Sequence, residues 1–357
     1  MNSANDGIRI PLISIVLPVK NEAPHIVAVL ESLQAQDYPA DRLEIIVCDG
    51  GSDDGTPRIV QDFAASAVVP VRVVDNPGVR SSAGRNTGVG SARGEIICFV
   101  DGHCRIGSSD MLRAIARLMS DEEVACLSRP QRLYADTENI FQRAVVLARA
   151  SRLGHGADST IYDENVERRC DPASAGAIYK REVFQQIGSY DESFDACEDV
   201  DFNVRVREAG LTAMISSQLE VFYVARRSPQ GLFKQMVRYG SGRIRLMRKH
   251  RSERRIPVLV PVALLSLLAL WPVAAVLLPP IIRYAWSAAA LAYLVLIAVT
   301  ALWLAMREKD TLLQRMQLAG ATLLALLIIH IGLGSGELME LFRAPSNQRH
   351  LATARSA

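Results

Sequence analysis

Short apolar runs alternate with stretches of helical periodicity in the first third of the chain. The apolar runs occupy residues 14–17 (SIVL), 44–48 (EIIVC), 71–74 and 95–100 (EIICFV). Helical periodicity follows the first run over residues 22–36, and helices are also predicted after the second and third runs, at 56–65 and at 82–92, where serines open the helix. Strands that alternate with helices of roughly ten to fifteen residues predict a parallel, doubly wound α/β sheet.

The pattern is more mixed between residues 110 and 210. It predicts strands at residues 124–127 and 177–179 and helices at 138–149, 181–187 and 199–209. Gly210 follows the last helix, where a glycine often ends a helix. We therefore expect the α/β domain to continue to about residue 225.

Three long apolar runs follow, at residues 256–282, 284–306 and 316–336. They contain 27, 23 and 21 residues without an Asp, Glu, Lys or Arg, and His330 is the one ionisable residue of the third run. A membrane-spanning helix needs about 20 apolar residues, so about three transmembrane helices are predicted. The prolines of the first run make it the least regular. One run forming a re-entrant or interfacial hairpin is an open alternative, whereas three buried core helices do not fit these lengths.

Charge is distributed unevenly around these runs. Residues 226–255 contain eleven Lys and Arg and one acidic residue, although the net charge of the chain is only +2. Such a segment favours contact with anionic lipid headgroups or phosphates, and a solvated helix face is the alternative. Arg307, Lys309 and Arg315 lie between the second and third runs. The positive-inside rule then places this loop and the N-terminal domain in the cytoplasm and the C-terminus outside.

The cysteines and the N-terminus agree with a cytoplasmic domain. None of the six cysteines forms a CxxC pair, and no Cys/His spacing is typical of a zinc site. A reducing compartment without a disulfide framework is expected. The first residues, MNSANDGIRIPL, lack a basic segment followed by an apolar core, so no signal peptide is predicted.

Polar residues stand where the predicted strands end. Asn21, Asp49 and Asp101 each follow an apolar run, and ligands of doubly wound sheets bind at the carboxyl ends of the strands. Residues 49–56 (DGGSDDGT) could approach a ligand through glycines and a helix N-terminus, or form a turn with helix caps. The first strand runs into PVKNE, so a GxGxxG dinucleotide loop is absent, as is a GxxxxGK[ST] loop.

Three further motifs carry candidate chemistry. Asp101 and His103 could face one divalent cation, or belong to a common polar turn. Glu198 and Asp199 could supply a general base, or simply favour the dipole of the helix that they begin. Residues 235–239 (QMVRY) could hold a phosphate or form a surface helix.

Taken in order, these motifs resemble those of family 2 glycosyltransferases. The set comprises SIVLPVKNE, IIVCDGGSDDGT, SAGRNTG, GEIICFVDGH, residues 190–194 (YDESF), Glu198-Asp199 and QMVRY. The resemblance covers about residues 13–245. It implies a Rossmann-like nucleotide-sugar-binding domain of the GT-A type. With the apolar runs, this predicts an α/β catalytic domain followed by about three transmembrane helices.

The resemblance also implies residue roles. Asp199, beside Glu198, is expected to be the catalytic base, and Asp101 with His103 to hold Mn²⁺ or Mg²⁺, with His103 in the last place of the family's DxD motif. Gln235, Arg238 and Tyr239 are expected to bind the acceptor or a diphosphate, with Tyr239 where the QxxRW motif has Trp. The expected nucleotide-sugar-binding residues are Pro18, Asn21, Glu22, Asp49, Gly51, Arg85 and Asp101.

Within the family, the D-x-H form, GSYDESFDACEDVDFNVRVREAG and QMVRYGSGR resemble the ExoA type of succinoglycan-biosynthesis glucosyltransferases. This implies an inverting enzyme that moves a sugar, with glucose suggested but not fixed, from a UDP-sugar to a lipid-linked saccharide. The expected location is the bacterial inner membrane, as a multi-pass protein in contact with lipids, and no nucleic-acid partner is expected. A homo-oligomer or a polysaccharide-assembly complex is left open.

The expected division of the chain has four parts. Residues 1–225 form the cytoplasmic catalytic domain, 226–255 a basic interface segment, 256–336 the membrane region and 337–357 a tail. Rival hypotheses are a processive polysaccharide synthase and a non-catalytic nucleotide-sugar-binding subunit of an export complex. The loop at residues 154–170 is either a lid that orders on donor binding or an ordinary surface loop.

Overall fold

The structure, a computed structural model, describes residues 10–155, 166–174, 176–254 and 256–343. The expectations about a signal peptide, about most of the 154–170 loop and about the tail beyond residue 343 lie outside these residues.

Within the described residues, eleven strands form two sheets. The strands are β1 (Ile13–Val19), β2 (Leu43–Asp49), β3 (Val71–Asp75), β4 (Ile96–Phe99), β5 (Cys104–Ile106), β6 (Val124–Ser128), β7 (Gln131–Tyr134), β8 (Glu167–Cys170), β9 (Gly176–Lys180), β10 (Thr212–Ser216) and β11 (Val221–Val224).

The α-helices of the described residues fall into two groups, one that surrounds the large sheet and one near the C-terminus. They are α1 (Ile26–Gln34), α2 (Thr56–Ala64), α3 (Ser81–Ser91), α4 (Met111–Met119), α5 (Ile140–Ala150), α6 (Arg152–His155), α7 (Arg181–Ile187), α8 (Glu198–Glu208), α9 (Pro229–Lys249), α10 (Val260–Ala269), α11 (Trp271–Leu277), α12 (Pro280–Met306) and α13 (Leu312–Phe342).

The large sheet has the strand order β3-β2-β1-β4-β9-β6-β10-β8. Strands β3, β2, β1 and β4 are parallel, as predicted, but β9 is antiparallel to both β4 and β6, and β8 is antiparallel to β10. The predicted α/β class is confirmed, and the antiparallel strands belong to the part of the chain after residue 110, where the sequence pattern is mixed. Strand β9 is antiparallel because α5, the long helix between β6 and β9, packs against α13 and not on the sheet, so no crossover returns the chain in parallel.

Apolar side chains cover both faces of the sheet. Helices α1 and α4 pack on one face around Leu30 and Ile115, and α3, α7 and α8 cover the other around Phe202. Strands β1 and β2 are buried on both faces, which explains why their sequences are continuously apolar and not alternating. Each fully buried aliphatic side chain contributes about 1.5–3 kcal/mol.

Helix α3 lies unusually close to β1. A Cβ atom on Gly88 would stand 2.1 Å from Cγ1 of Val16, so only glycine permits this approach. The close packing brings Arg85, one turn earlier on α3, to the carboxyl edge of the sheet. Strands β5, β11 and β7 form the small second sheet, which presents Tyr223 towards the same edge.

The three predicted apolar runs do not form three equal helices. Helices α12 and α13 are each long and apolar enough to cross a membrane, whereas the first run divides into α10 and α11, bent by 53°. The described residues therefore contain two candidate spans, or three if α10 and α11 together form one span. Pro272 lies in the first turn of α11 and cannot donate the hydrogen bond that would continue α10. Helix α13 continues to Phe342, beyond the predicted end at residue 336.

Helix α9 forms most of the predicted basic interface segment. Ser228 caps its start, since Oγ accepts a hydrogen bond from the amide of Gly231 at 3.2 Å. One face of α9 and one face of α5 pack with α12 and α13 in a separate apolar cluster that includes Val145, Met236 and Leu326. The catalytic domain expected at 1–225 and the apolar C-terminal helices therefore share a hydrophobic core.

Candidate active site

Strands β1, β2, β4 and β6 point their carboxyl ends to one edge of the sheet. The loops after β1 and β2 are joined there by two hydrogen bonds. The amide of Asn21 donates to Oγ of Ser52 at 2.8 Å, and the amide of Asp53 donates to Oδ1 of Asn21 at 3.0 Å. Asn21 adopts φ +58°, a conformation that Asn tolerates better than most residues.

Asp49 and Gly51 belong to the second of these loops. Oδ2 of Asp49 accepts from the amides of Gly51 and Ser52, at 3.1 and 3.0 Å, and Oδ1 accepts from the Ser52 hydroxyl at 2.5 Å. The carboxylate therefore shapes its own loop, as the turn alternative predicts, and remaining lone pairs face the edge. Pro18 packs beside the loop against α3, where a Cβ on Gly84 would be 3.0 Å from the proline ring.

Arg85 lies between two acidic motifs that are distant in sequence. Its Nη2 is 3.7 Å from Oδ1 of Asp101, and its Nε is 3.7 Å from Oε1 of Glu198. The guanidinium also stands 5.2 Å from the Phe99 ring and 5.5 Å from the Tyr190 ring, a cation–π geometry. The predicted donor-side and base-side residues are thus brought together by one buried arginine.

The two acidic groups beside Arg85 differ in their protonation. Burial works against ionisation of Asp101, but Arg85, His103 and Arg129 outweigh it and hold the pKa of this carboxyl below its usual range. Burial raises the pKa of Glu198, and the Asp199 carboxylate adds to that effect against the opposing charge of Arg85. Asp101 therefore remains an anion, whereas Glu198 takes up a proton more readily.

His103 hydrogen-bonds to Glu22, a residue expected in the nucleoside pocket. Nδ1 of His103 is 2.9 Å from Oε1 of Glu22, and this hydrogen bond raises the pKa of the imidazole. If Nδ1 carries the proton, the lone pair of Nε2 is free, an arrangement that carboxylates impose on metal-binding histidines.

The donor set suits a divalent cation that also binds substrate. Among the residues that the structure describes, no three His, Cys, Asp or Glu side chains converge in a metal-binding group. Asp101 and His103 supply one carboxylate and one imidazole, so phosphate oxygens or water must complete the coordination. Nitrogen and oxygen ligands together fit Mn²⁺ better than Mg²⁺.

Two residues that the sequence analysis did not select support Asp101. The Tyr223 hydroxyl lies near Asp101 and helps to lower the pKa of its carboxyl, and Nη2 of Arg129 donates to the Tyr223 hydroxyl at 3.2 Å. Arg129 is 2% exposed, and its Nε and Nη1 have no hydrogen-bond partner among the described residues. Arg129 follows the carboxyl end of β6, so the rule that pointed to Asp101 after β4 could have found it. Nothing in the sequence signals Tyr223.

Glu198 and Asp199 begin α8. The residue before them, Cys197, has φ +65°, a strained conformation for a side chain of this kind. Gly242 of α9 packs so closely here that an added Cβ would stand 2.7 Å from the Ala196 carbonyl oxygen. Helix α9 therefore fixes the loop that presents the predicted base.

The three α9 residues expected at the acceptor or diphosphate occupy different environments. Arg238 pairs with Asp195, with Nε 2.9 Å from Oδ2, so it holds the loop before α8. Nε2 of Gln235 donates to the Tyr239 hydroxyl at 3.2 Å. Burial raises the pKa of Tyr239, the guanidinium of Arg149 opposes this, and the Asp199 carboxylate adds to it. Gln235, Tyr239 and Arg149 thus lie on the Asp199 side of the site.

The fold and these motifs define a class of protein. Residues 14–188 match the model of glycosyl transferase family 2. The chain therefore carries a family 2 glycosyltransferase domain with the GT-A fold, and the protein is a glycosyltransferase.

Individual relatives extend the similarity beyond that domain. The chain is 28% identical over 303 residues to the succinoglycan biosynthesis protein ExoA of Rhizobium meliloti, over 83% of this chain and 86% of the relative. It is 24% identical over 249 residues to the glycosyltransferase AglE of Haloferax volcanii, over 69% and 78% of the two chains.

A solved structure has the same fold. The mannosyltransferase PcManGT from Pyrobaculum calidifontis, in complex with GDP-Man and Mn²⁺, superimposes with a TM-score of 0.57 at 21% identity. The match covers 93% of this chain and 87% of that one.

Proposed function

We propose that the protein is an inverting glycosyltransferase that transfers a sugar from a UDP-sugar to a membrane lipid-linked saccharide. The product would enter exopolysaccharide or cell-surface glycan biosynthesis. Similarity to ExoA over most of the chain supports this pathway class, and the apolar helices joined to the catalytic domain support a membrane-borne acceptor. Glucose is the sugar that we would test first.

One observation carries the proposal, namely that Arg85 bridges Asp101 and Glu198. A glycosyl transfer needs the leaving diphosphate and the attacking hydroxyl on opposite sides of one anomeric carbon. Asp101 marks the diphosphate side, and Asp199, next to Glu198, marks the hydroxyl side. Arg85 holds the two sides at a fixed separation and supplies positive charge where the leaving group gains negative charge.

Donor binding falls to the loops after β1 and β2. Asn21 and Asp49 hold these loops in place and, with Pro18, Glu22 and Gly51, form the wall proposed to receive the nucleoside. Gly51 adopts φ +75°, and without a side chain it lets the backbone of the loop come close to a ligand.

The reaction is a single displacement. Asp199 accepts the proton of the acceptor hydroxyl while that oxygen attacks the anomeric carbon. The new glycosidic bond forms as the bond to the diphosphate oxygen breaks on the opposite face, and UDP leaves with the electron pair. Arg85 stabilises the departing charge.

A divalent cation bound by Asp101 and by Nε2 of His103 would neutralise the diphosphate as the bond breaks. Glu22 prepares the imidazole by accepting from Nδ1. Since a protonated imidazole has no lone pair for a metal, we expect cation binding to weaken in acid.

The acceptor is proposed to enter from the α9 side, where Gln235 and Tyr239 lie near Asp199. Arg238 contributes by fixing Asp195 and the following loop. The basic stretch at 226–255 would lie against anionic lipids of the bacterial inner membrane, with the catalytic domain on the cytoplasmic face.

The decisive experiment measures UDP release by the purified full-length protein. A panel of nucleotide sugars is tested with Mn²⁺, Mg²⁺ or EDTA and with lipid extract as acceptor. Asp199→Asn should lower transfer by about 10²–10⁴-fold while donor binding is retained. Asp62→Asn, an exposed carboxylate on α2, is the matched control and should behave as the native protein.

Each rival hypothesis has its own outcome. No release from any donor, with unimpaired nucleotide-sugar binding, would favour the non-catalytic binding subunit. A polymer made by the purified protein alone would favour a processive synthase.

A further inference from the structure

Helix α13 contacts the catalytic domain at its N-terminal end. In the turn that precedes α13, the carboxylate of Asp310 pairs with Arg143 of α5, and Glu308 lies 3.8 Å from the same guanidinium. Arg143 is three-quarters buried in this contact. The start of α13 is therefore on the catalytic domain's side of the membrane.

The C-terminal end of α13 contacts α9, a helix that the Arg238–Asp195 ion pair joins to the catalytic domain. Arg245 of α9 pairs with Glu340, with Nε 3.0 Å from Oε1. Nη2 of Arg248 donates to the carbonyl oxygen of Leu341 at 3.1 Å. A helix that crossed the bilayer would have only one end beside this domain.

Contacts continue between the two ends. His330 is 2.8 Å, through Nε2, from the carbonyl oxygen of Leu153 in α6, and the Ser241 hydroxyl of α9 donates to the Gly336 carbonyl at 3.1 Å. An added Cβ on Gly336 would stand 2.0 Å from the Val237 carbonyl oxygen. Glycine thus lets the backbones of α9 and α13 touch as the helices run side by side.

The charges of α9 decide where this pair of helices lies. Six Lys and Arg are distributed from Lys234 to Lys249, and a charged side chain is unfavourable at the centre of a bilayer. Helix α9 must then remain at or above the headgroups. Because α13 packs along α9, its C-terminal third is held at the same level.

Over residues 321–338, the exposed side chains of α13 form a narrow apolar stripe. Leu324, Ile331 and Leu338 are 44%, 36% and 37% exposed and stand seven residues apart, which places them on one face of the helix. This stripe lies on the one side that α5, α9, α10 and α12 leave open. Helices that lie in the membrane surface bury one such face to a depth of about 5–10 Å.

We propose that α13 lies in the plane of the membrane surface, between the catalytic domain and the lipid, and does not cross the bilayer. Its partner is the lipid surface, which the stripe enters, and residue 343 is on the catalytic domain's side. The α10–α11 pair and α12 remain as the candidate spans. The proposal rests on the membrane location proposed above and not on the transfer chemistry, and it replaces the expected third span and outward C-terminus.

Cysteine labelling tests both ends of the helix. Lys309→Cys precedes α13 and Arg343→Cys follows it, and both positions are exposed. Asp62→Cys reports the catalytic domain's side, and the native chain gives the background from its own cysteines. A membrane-impermeant maleimide is added to intact spheroplasts and to inside-out vesicles, and labelling in detergent establishes that each cysteine reacts.

Lys309→Cys and Arg343→Cys should both label in the preparation in which Asp62→Cys labels, and not in the other. Labelling of positions 309 and 343 in opposite preparations would overturn the proposal. A fluorescent protein fused after Ala357 gives a second measurement, since it should fluoresce in the cytoplasm, whereas activity of an alkaline phosphatase fused there would also contradict the in-plane helix. UDP release is measured separately, so failure of the topology and failure of the transferase assignment are distinguishable.

Discussion

Arg129 is a buried cation whose only hydrogen bond within the described residues is to the Tyr223 hydroxyl. Two of its donors are unsatisfied, which costs about 1–3 kcal/mol each in a folded protein. Arg129 is unfavourable for stability and lies next to Tyr223, which is near Asp101. We therefore expect that Arg129 contributes to activity by positioning Asp101.

We therefore predict opposite effects of Arg129→Met on stability and on activity. The thermal midpoint should stay equal or rise, because two unsatisfied donors are removed, while kcat/KM for the donor falls about 10- to 100-fold. Tyr223→Phe should cause a similar fall, and the double variant little more, since both act through Asp101. Thermal unfolding, initial rates and Mn²⁺ titration measure these effects.

A large drop in the thermal midpoint of Arg129→Met would show instead that the residue is structural. Fully additive losses in the double variant would separate Arg129 from Tyr223. Arg58→Met, an exposed arginine on α2, serves as the control for replacing a guanidinium.

Sequence reasoning could find residues that end strands but not residues that meet across the fold. Asp49 and Asp101 follow apolar runs, and they were identified because ligands of doubly wound sheets bind at the carboxyl ends of the strands. Their contacts were not predictable, because the Arg85–Glu198 approach depends on how α3 packs over β1 and where α8 begins. The Glu22–His103 hydrogen bond likewise joins loops that are 81 positions apart.

At the level of elements, Glu44 links three parts of the large sheet. Its buried carboxylate accepts from the Ser14 hydroxyl of β1 at 2.6 Å and from the amide of Arg93 at 2.7 Å, and Arg72 of β3 lies at 3.3 Å. Burial works against its ionisation, but these hydrogen bonds outweigh burial and lower the pKa of the carboxyl.

We predict that Glu44→Gln lowers the stability of the protein by roughly 1–3 kcal/mol at pH 7. Because the folded-state pKa of Glu44 lies below the unfolded value of about 4.3, the native advantage is complete above that value. It is lost as pH falls through the folded-state pKa. Thermal midpoints of the two proteins in detergent should therefore converge in acid.

Glu31→Gln, an exposed carboxylate on α1, should show no such difference at any pH. A native advantage for Glu44 that persisted unchanged into strong acid would exclude the ionised carboxylate as its source.

The positions of most helices and strands along the chain were predictable from the sequence, whereas the antiparallel direction of β9 and the bend between α10 and α11 were not. The ends of α2, α3 and α8 were predicted within about a residue, since polar or glycine residues mark them, such as the serines that begin α3 and Gly210 after α8. The antiparallel insertion of β9 was missed because its cause, the packing of α5 on α13, joins segments more than 160 residues apart. The prolines of the first apolar run indicated an irregular helix but not the position of the bend between α10 and α11. The length of an apolar run shows whether a helix could span the membrane, but not whether that helix is straight.

For the whole molecule, the catalytic domain and the C-terminal helices are not independent units. Ala144, Val145 and Ala148 of α5 and Leu232 and Met236 of α9 are buried against the apolar helices. Removing those helices would expose a contiguous apolar surface of the kind that causes association.

A fragment of residues 1–254 is therefore expected to aggregate in buffer and to lose most of its transfer activity. Size-exclusion chromatography and UDP release, compared with the full chain in nanodiscs, measure both effects. A monodisperse fragment with full activity on a water-soluble acceptor would contradict this expectation and the proposed lipid-borne acceptor as well.

The close packing on both sides of α9 has a consequence for substrate choice. Gly240 faces α13, and Gly242 faces the loop before Asp199, so a single helix of about 10 Å diameter separates the lipid-facing helix from the proposed base. The height of the base above the bilayer is then constant. For the lipid-linked acceptor proposed above, transfer would require a sugar chain that brings the attacking hydroxyl to that height. The enzyme would then select acceptors by the length of their sugar chain, and so add its sugar at one step of a growing glycan.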